Sequence, residues 1–131
     1  MKKHRLKHMV NQVPVVLYRR VSTKKQEKSE YKNQLDVVKI ACPGFIVTGT
    51  GNLDLKEVIS GVATIEKRIA AKLGTALRHL KHDPEAIMIV SAADRIARRA
   101  DVFERIQVQE LGNRVFDVST GKSVNDIILN Q

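Results

Sequence analysis

The stretch Val13-Pro14-Val15-Val16-Leu17-Tyr18-Arg19-Arg20-Val21-Ser22-Thr23 decides how the rest of the chain reads. Val13 to Tyr18 is a short, mostly β-branched apolar run, the composition of a strand buried in a sheet. It passes directly into two arginines and two hydroxyl residues, so the strand delivers polar side chains at its carboxyl end. A helix is expected next. Thr23 and Gln26 have capping-box spacing, and Tyr31, Leu35, Val38 and Cys42 recur at helical intervals until Pro43-Gly44.

The alternation continues outward from that unit. Phe45 to Thr50 is expected as a strand, Gly49-Thr50-Gly51-Asn52 as a turn, and the weakly alternating Leu53 to Gly61 as another short strand. Ile65, Ile69, Leu73, Leu77 and Leu80 form a stripe that predicts one helix from Thr64 to about Lys81, with Pro84 just beyond it. Ala86-Ile87-Met88-Ile89-Val90 is a second buried strand. A helix from Asp94 through Val102, Phe103 and Ile106 stops at Gly112-Asn113, and Arg114 to Val118 is a third strand. Ser123 caps a last periodic segment, Val124, Ile127 and Ile128. Strands alternating with helices predict an α/β fold, a three-layer sandwich with a mostly parallel central sheet and helices on both faces.

The chain has 131 residues, with 23 Lys plus Arg against 14 Asp plus Glu and a net charge of +9. That length suits one domain, which can bury enough surface to fold without a disulfide or metal. The lone cysteine, Cys42, cannot form an internal disulfide and lies on an apolar stripe as a small core residue. No apolar stretch approaches the ~20 residues of a membrane span, so a reducing, cytoplasmic setting is expected and no membrane partner. The charge is uneven. Residues 1–12, 17–39 and 66–82 each carry an excess of +4. The first of these, with no apolar segment behind it, reads as a basic N-terminal arm rather than a signal peptide. Three segments of one sign point to a polyanionic partner, and with only five aromatic residues a base-stacking platform is poorly supported. A phosphate backbone is the expected target.

In open α/β sheets the ligand site lies beyond the carboxyl ends of the strands. Two arginine-bearing segments fall there, Tyr18-Arg19-Arg20-Val21-Ser22 and Asp94-Arg95-Ile96-Ala97-Arg98-Arg99. Ser22 could simply cap a helix, but Thr23 already fits that position. Asp94 could cap the next helix, or hold an arginine in place. Arg95 and Arg98 share a helix face, where cations in a first turn oppose the macrodipole by about 0.3–1 kcal/mol each. A hydroxyl converging with several guanidiniums is what attack on a phosphodiester needs: the arginines grip nonbridging oxygens and stabilise the charge of the transition state. Gly49-Thr50-Gly51 lacks the Gly-Lys-Ser/Thr half of a phosphate loop, and His79 and His82 read as an exposed basic helix end. No cofactor or metal is expected.

Tyr18-x-Arg20-Val21-Ser22-Thr23, with Gln26, Gln34, Ser60-Gly61 and Asp94-Arg95-Ile96-Ala97-Arg98, resembles the catalytic domain of the serine recombinases, the resolvases and DNA invertases. The resemblance runs from about Val13 to Ser119. It implies a recombinase that cleaves and rejoins DNA through a 5′-phosphoserine intermediate, with neither metal nor nucleotide. By it, Ser22 is the nucleophile, Arg20, Arg95 and Arg98 bind the phosphate, Asp94 orients them, and Tyr18, Gln26 and Ser60 support the site. The family's further arginine after Ser-Gly falls on Arg68, with Lys67 as the competing cation, and Glu57 takes the place of an acid before Ser-Gly. Residues 13–120 are then the catalytic domain, working as a homodimer or homotetramer, and 121–131 the truncated start of a dimerisation helix, sequence-specific recognition lying outside the chain. The competing reading is a recombinase-like DNA-binding and dimerisation module with impaired catalysis. Arginines gathered around Ser22 favour the enzyme; Arg68 directed away from it favours the module.

Overall fold

A computed structural model describes residues 2–129, and side chains over 5–128. Its first element is helix α1 (Lys2–Met9), followed by strand β1 (Val15–Val21), a 3-10 turn at Lys24–Gln26 and helix α2 (Glu27–Ala41). Then come β2 (Leu53–Val58), α3 (Ile65–Ala70), α4 (Lys72–His82), β3 (Ile87–Val90), α5 (Ala93–Ile96), α6 (Ala100–Val108), β4 (Val115–Asp117), β5 (Lys122–Ser123) and α7 (Val124–Leu129). The sheet order is β2-β1-β3-β4-β5. The first four strands are parallel, and β5 closes the edge antiparallel to β4.

Two apolar layers follow from the two-residue period of the strands. Val16, Tyr18, Met88, Val90 and Val115 face Leu73, Leu77, Leu80, Val102 and Ile106 of α4 and α6. Val15, Leu17, Ile87 and Ile89 face Leu6, Val10, Val38, Cys42 and Phe45 on the α1 and α2 side. The expected three-layer α/β sandwich is what these layers form.

Five details depart from the expectation. The segment read as a basic arm is helical over Lys2–Met9, with Leu6 2% exposed, because Leu6, Met9 and Val10 share one helix face and cover the sheet. Phe45 to Thr50 forms no strand. Consecutive turns, with Phe45 N–H bonded to Cys42 O at 3.0 Å and Gly49 N–H to Ile46 O at 2.9 Å, bury Phe45 and leave Ile46 exposed. The helix expected over 64–81 breaks at Ala71, which is extended, and Lys72 N–H donates instead to Glu57 Oε1 at 3.1 Å. Gly74 fits that break for a steric reason: a Cβ there would lie 1.7 Å from Ile69 O. The helix expected from Asp94 divides into α5 and α6, and β5 is a strand the periodicity did not show. In the segment 121–131, β5 and α7 occupy 122–129, while 130–131 lie outside the described residues; Ser123 Oγ accepts Asp126 N–H at 3.3 Å, as a cap does.

Candidate active site

Neighbouring residues of a strand point to opposite faces, and this separates the two arginines of β1. Arg19 turns toward α2, where it donates to Tyr31 O at 3.1 Å and pairs with Asp54 of β2 at 2.7 Å. Arg20 turns to the other face, at the carboxyl end of the sheet, and is fully buried. Its guanidinium donates from Nε to Arg95 O (3.0 Å), from Nη2 to Asp94 O (2.8 Å), and from Nη1 to Ile59 O (3.0 Å) and Ser22 Oγ (3.2 Å). Burial, then the charge of Arg68, lowers its pKa, with Arg95 and Arg98 adding to the effect. It nonetheless stays a cation.

This docking accounts for the broken helix. In a continuous helix, Asp94 O and Arg95 O would accept from the N–H groups of residues 98 and 99. Both carbonyls instead receive Arg20, Ile96 O receives Arg68 Nη2, and Arg98 N–H donates to Gly61 O at 2.9 Å. Gly61 therefore lies against two arginines, and a Cβ on it would sit 2.9 Å from Arg20 Nη2 and 3.2 Å from Arg98 Cγ. Ser60 shapes the turn that brings Gly61 there, its Oγ accepting Val62 N–H at 3.2 Å.

Ser22 is exposed, just past the end of β1. Gln26 Oε1 accepts the N–H groups of Ser22 (2.9 Å) and Thr23 (3.2 Å), which fixes the backbone and leaves the Ser22 hydroxyl to Arg20. Gln34, from α2, bonds both main-chain groups of Arg20, at 3.2 Å to N–H and 2.9 Å to C=O. It completes the β1 edge beyond Leu17, the last residue paired with β3.

Behind Arg20 lies a buried chain of polar groups. Arg68, fully buried, donates from Nη2 to Tyr18 Oη at 2.8 Å and to Ile96 O, while its Nε and Nη1 have no partner among the described residues. Tyr18 Oη in turn donates to Glu57 Oε2. Burial raises the Tyr18 pKa, Glu57 adding to the rise and Arg68 opposing it. Between the two cations the sequence left open, Arg68 is the one turned inward beside Arg20, and Lys67 is exposed. Arg68 makes no hydrogen bond to Ser22; its charge reaches the site through its neighbour.

The remaining arginines stand at the rim. Arg98 is exposed, and its side chain makes no hydrogen bond or ion pair among the described residues. Arg95 Nη2 is paired with Glu30 Oε2 of α2 at 3.0 Å, and its Nε is 4.0 Å from the Asp94 carboxylate. Asp94 thus touches the arginines mainly through its carbonyl. Two acids here escaped the sequence reading. Asp117, 6% exposed at the end of β4, accepts Ala93 N–H at 3.0 Å and so holds the start of α5, while its other oxygen accepts Ser119 N–H and Oγ–H. The Asp-x-Ser spacing at a strand end was the available signal. Glu30 had none, since nothing in local spacing links residue 30 to residue 95. Among the described residues no group of His, Cys, Asp and Glu could hold a metal ion, and no helix is long and apolar enough to cross a membrane.

Comparison with known proteins agrees with this geometry at the level of family and fold. A model of the resolvase N-terminal domain matches residues 15–126. Among solved structures, the C-terminal catalytic domain of ISC1926 TnpA, an IS607-like serine recombinase, is similar with a TM-score of 0.52 and 16% identity, covering 90% of this chain and 77% of that one. No curated protein matches the sequence. With the family model spanning most of its length, and its sheet and helices arranged as in a recombinase catalytic domain, the chain belongs to the resolvase family of serine recombinases.

Proposed function

We propose that this domain breaks and rejoins DNA through Ser22. Ser22 Oγ attacks a backbone phosphorus in line, the bond to O3′ breaks, and the serine's proton ends, in net terms, on the departing 3′-hydroxyl. The phosphate is left as a 5′-phosphoserine ester. Attack by the 3′-hydroxyl of a new partner strand reverses the step, so the bond energy is kept and no nucleotide is consumed. Arg98 and Arg95 grip the nonbridging oxygens, Arg20 orients the nucleophile and carries positive charge to it, and Arg68 adds its charge from behind. Asp94 shapes the arginine loop, and Tyr18, Gln26 and Ser60 hold the frame.

The observation that carries this reading is the 3.2 Å bond from Arg20 Nη1 to the exposed Ser22 hydroxyl, made by a buried cation that the charges of Arg68, Arg95 and Arg98 all reach. The partner is double-stranded DNA, in keeping with the net charge of +9. Strand exchange needs more than one copy, and the proposed assembly is a dimer that pairs into a tetramer. A groove of about 400 Å³ beside Arg98, lined in part by Phe103, Ile127 and Ile128, offers an apolar surface for it. The setting proposed is cytoplasmic. Fused to a DNA-binding domain and incubated with supercoiled DNA carrying two of its sites, the chain is expected to give a protein–DNA adduct that survives denaturation and disappears in Ser22→Ala. An adduct persisting in Ser22→Ala refutes the assignment of the nucleophile.

A further inference from the structure

Of the four arginines at the site, two have little left to offer a phosphate. Arg20 spends four of its five N–H donors on Ser22 and three carbonyls, and Arg68 is sealed beneath it. The exposed Arg98 is free to reach out. Arg95 is the exception, because its guanidinium is at the rim, about 25% exposed, yet already holds a carboxylate: Glu30 Oε2 lies 3.0 Å from its Nη2. Glu30 comes from the first turn of α2, and its Oε1 is further held by Asn33 Nδ2 at 3.4 Å. A carboxylate and a phosphate both offer a guanidinium anionic oxygens that accept charge-assisted hydrogen bonds, and Glu30 occupies one N–H of Arg95 with one such oxygen.

Resting on the phosphate-binding role proposed for Arg95, we propose that Glu30 is a stand-in for the DNA phosphate. It keeps Arg95 aligned at the rim in the free domain and is displaced when a phosphodiester arrives. The main chain of Arg95 is fixed meanwhile, since its carbonyl holds Arg20, so the exchange is confined to the guanidinium. Glu30 is thereby a positioning residue that also competes with substrate. Its removal strengthens anion capture by Arg95 and loosens the alignment of that side chain.

The test uses inorganic phosphate as probe and the Arg95 Nε–H resonance as reporter, assigned by its loss in Arg95→Lys. Glu30→Gln is expected to tighten the phosphate dissociation constant at Arg95 about threefold, the competition that a partly exposed ion pair represents. Glu85→Gln, which removes the same charge in the exposed turn before β3, is expected to leave it within error. Equal tightening in both variants reduces the effect to net charge and overturns the proposal. So does unchanged binding in Glu30→Gln, or no phosphate response at Arg95 in any of the proteins. The DNA adduct separates this from the parent reading. A Ser22-dependent adduct without a Glu30 effect refutes only the stand-in, and a Glu30 effect without an adduct leaves an anion site on a protein that does not recombine DNA.

Discussion

Glu57 is the only acid in the buried chain behind Arg20, and replacing it with alanine should be among the most destabilising single changes available. The residue is 9% exposed and accepts two hydrogen bonds, from Tyr18 Oη and from Lys72 N–H at 3.1 Å. Each bond to a charged acceptor is worth about 1.5–3 kcal/mol, and removing the acid leaves the Arg68 charge buried with no carboxylate in its network, a change that costs about 3–5 kcal/mol in comparable sites. These figures overlap rather than add, and about 4 kcal/mol is the expected loss. At a slope near 1.5–2 kcal/mol per molar, typical of a small domain, the urea midpoint falls by roughly 2 M. Glu57→Gln keeps the shape but gives one of the two donors a second donor to face, so its loss should lie between, about 1–3 kcal/mol. Equilibrium urea unfolding followed by circular dichroism measures all three proteins. An alanine variant within about 1 kcal/mol of the parent at unchanged slope, or a glutamine variant as stable as the parent, would refute the claim that this carboxylate anchors the arginine layer.

Three further outcomes are expected from the same packing and bonding. Gly61→Ala forces a methyl to 2.9 Å from Arg20 Nη2, which must leave Asp94 O; the loss of a bond worth about 1.5–3 kcal/mol should cut Ser22-dependent adduct formation by roughly 10- to 100-fold, read from adduct yield against time. Leu6→Ala should cost about 2–5 kcal/mol in urea unfolding, whereas a loose arm would make the change nearly silent. Tyr18 holds its proton above the pH at which an unfolded tyrosine loses it, so above about pH 10 the unfolded state ionises first. Stability should then fall with rising pH by up to about 1.4 kcal/mol per unit from this group, a slope that Tyr18→Phe should reduce.

What the sequence made legible is what local pattern encodes. The apolar runs of β1, β3 and β4 and the stripes of the helices are set by the face each residue must bury, and they suffice for a parallel sheet between helical layers. The arginines after two of those strands were equally visible, because strand ends converge in such a sheet. The continuous helices expected over 64–81 and from Asp94 were not continuous, and the reason is non-local. Each breaks where a group from a distant strand takes over its hydrogen bonding: Glu57 receives Lys72 N–H, and Arg20 and Arg68 take the carbonyls of residues 94 to 96. Periodicity in a window cannot register a partner 74 residues away. Glu30 was missed for the same cause, and so was the hold of Asp117 on α5, since those roles exist only once α2 and β4 stand beside α5; the turn of Asp117 with Ser119 alone had a local signal.

The breaks also explain why four arginines can share so small a site. Gathering them on one uninterrupted helix and one strand would leave like charges repelling with nothing between them. Here the main-chain carbonyls of α5 and the β2 loop are inserted among the cations, so Arg20 is held and solvated by dipoles rather than paired with an acid. An acid in that position would cancel the field that the proposed chemistry needs at Ser22, whereas carbonyls fix the guanidinium and leave its net charge intact. The carboxylates are kept one step away, Glu57 behind Tyr18 and Glu30 on the partly exposed Arg95. On the proposed reading, a phosphodiester meets a site whose inner charge is permanent and whose outer charge is exchangeable. Salt should therefore weaken capture at Arg95 and Arg98, which water reaches, far more than it disturbs the bond between Arg20 and the nucleophile.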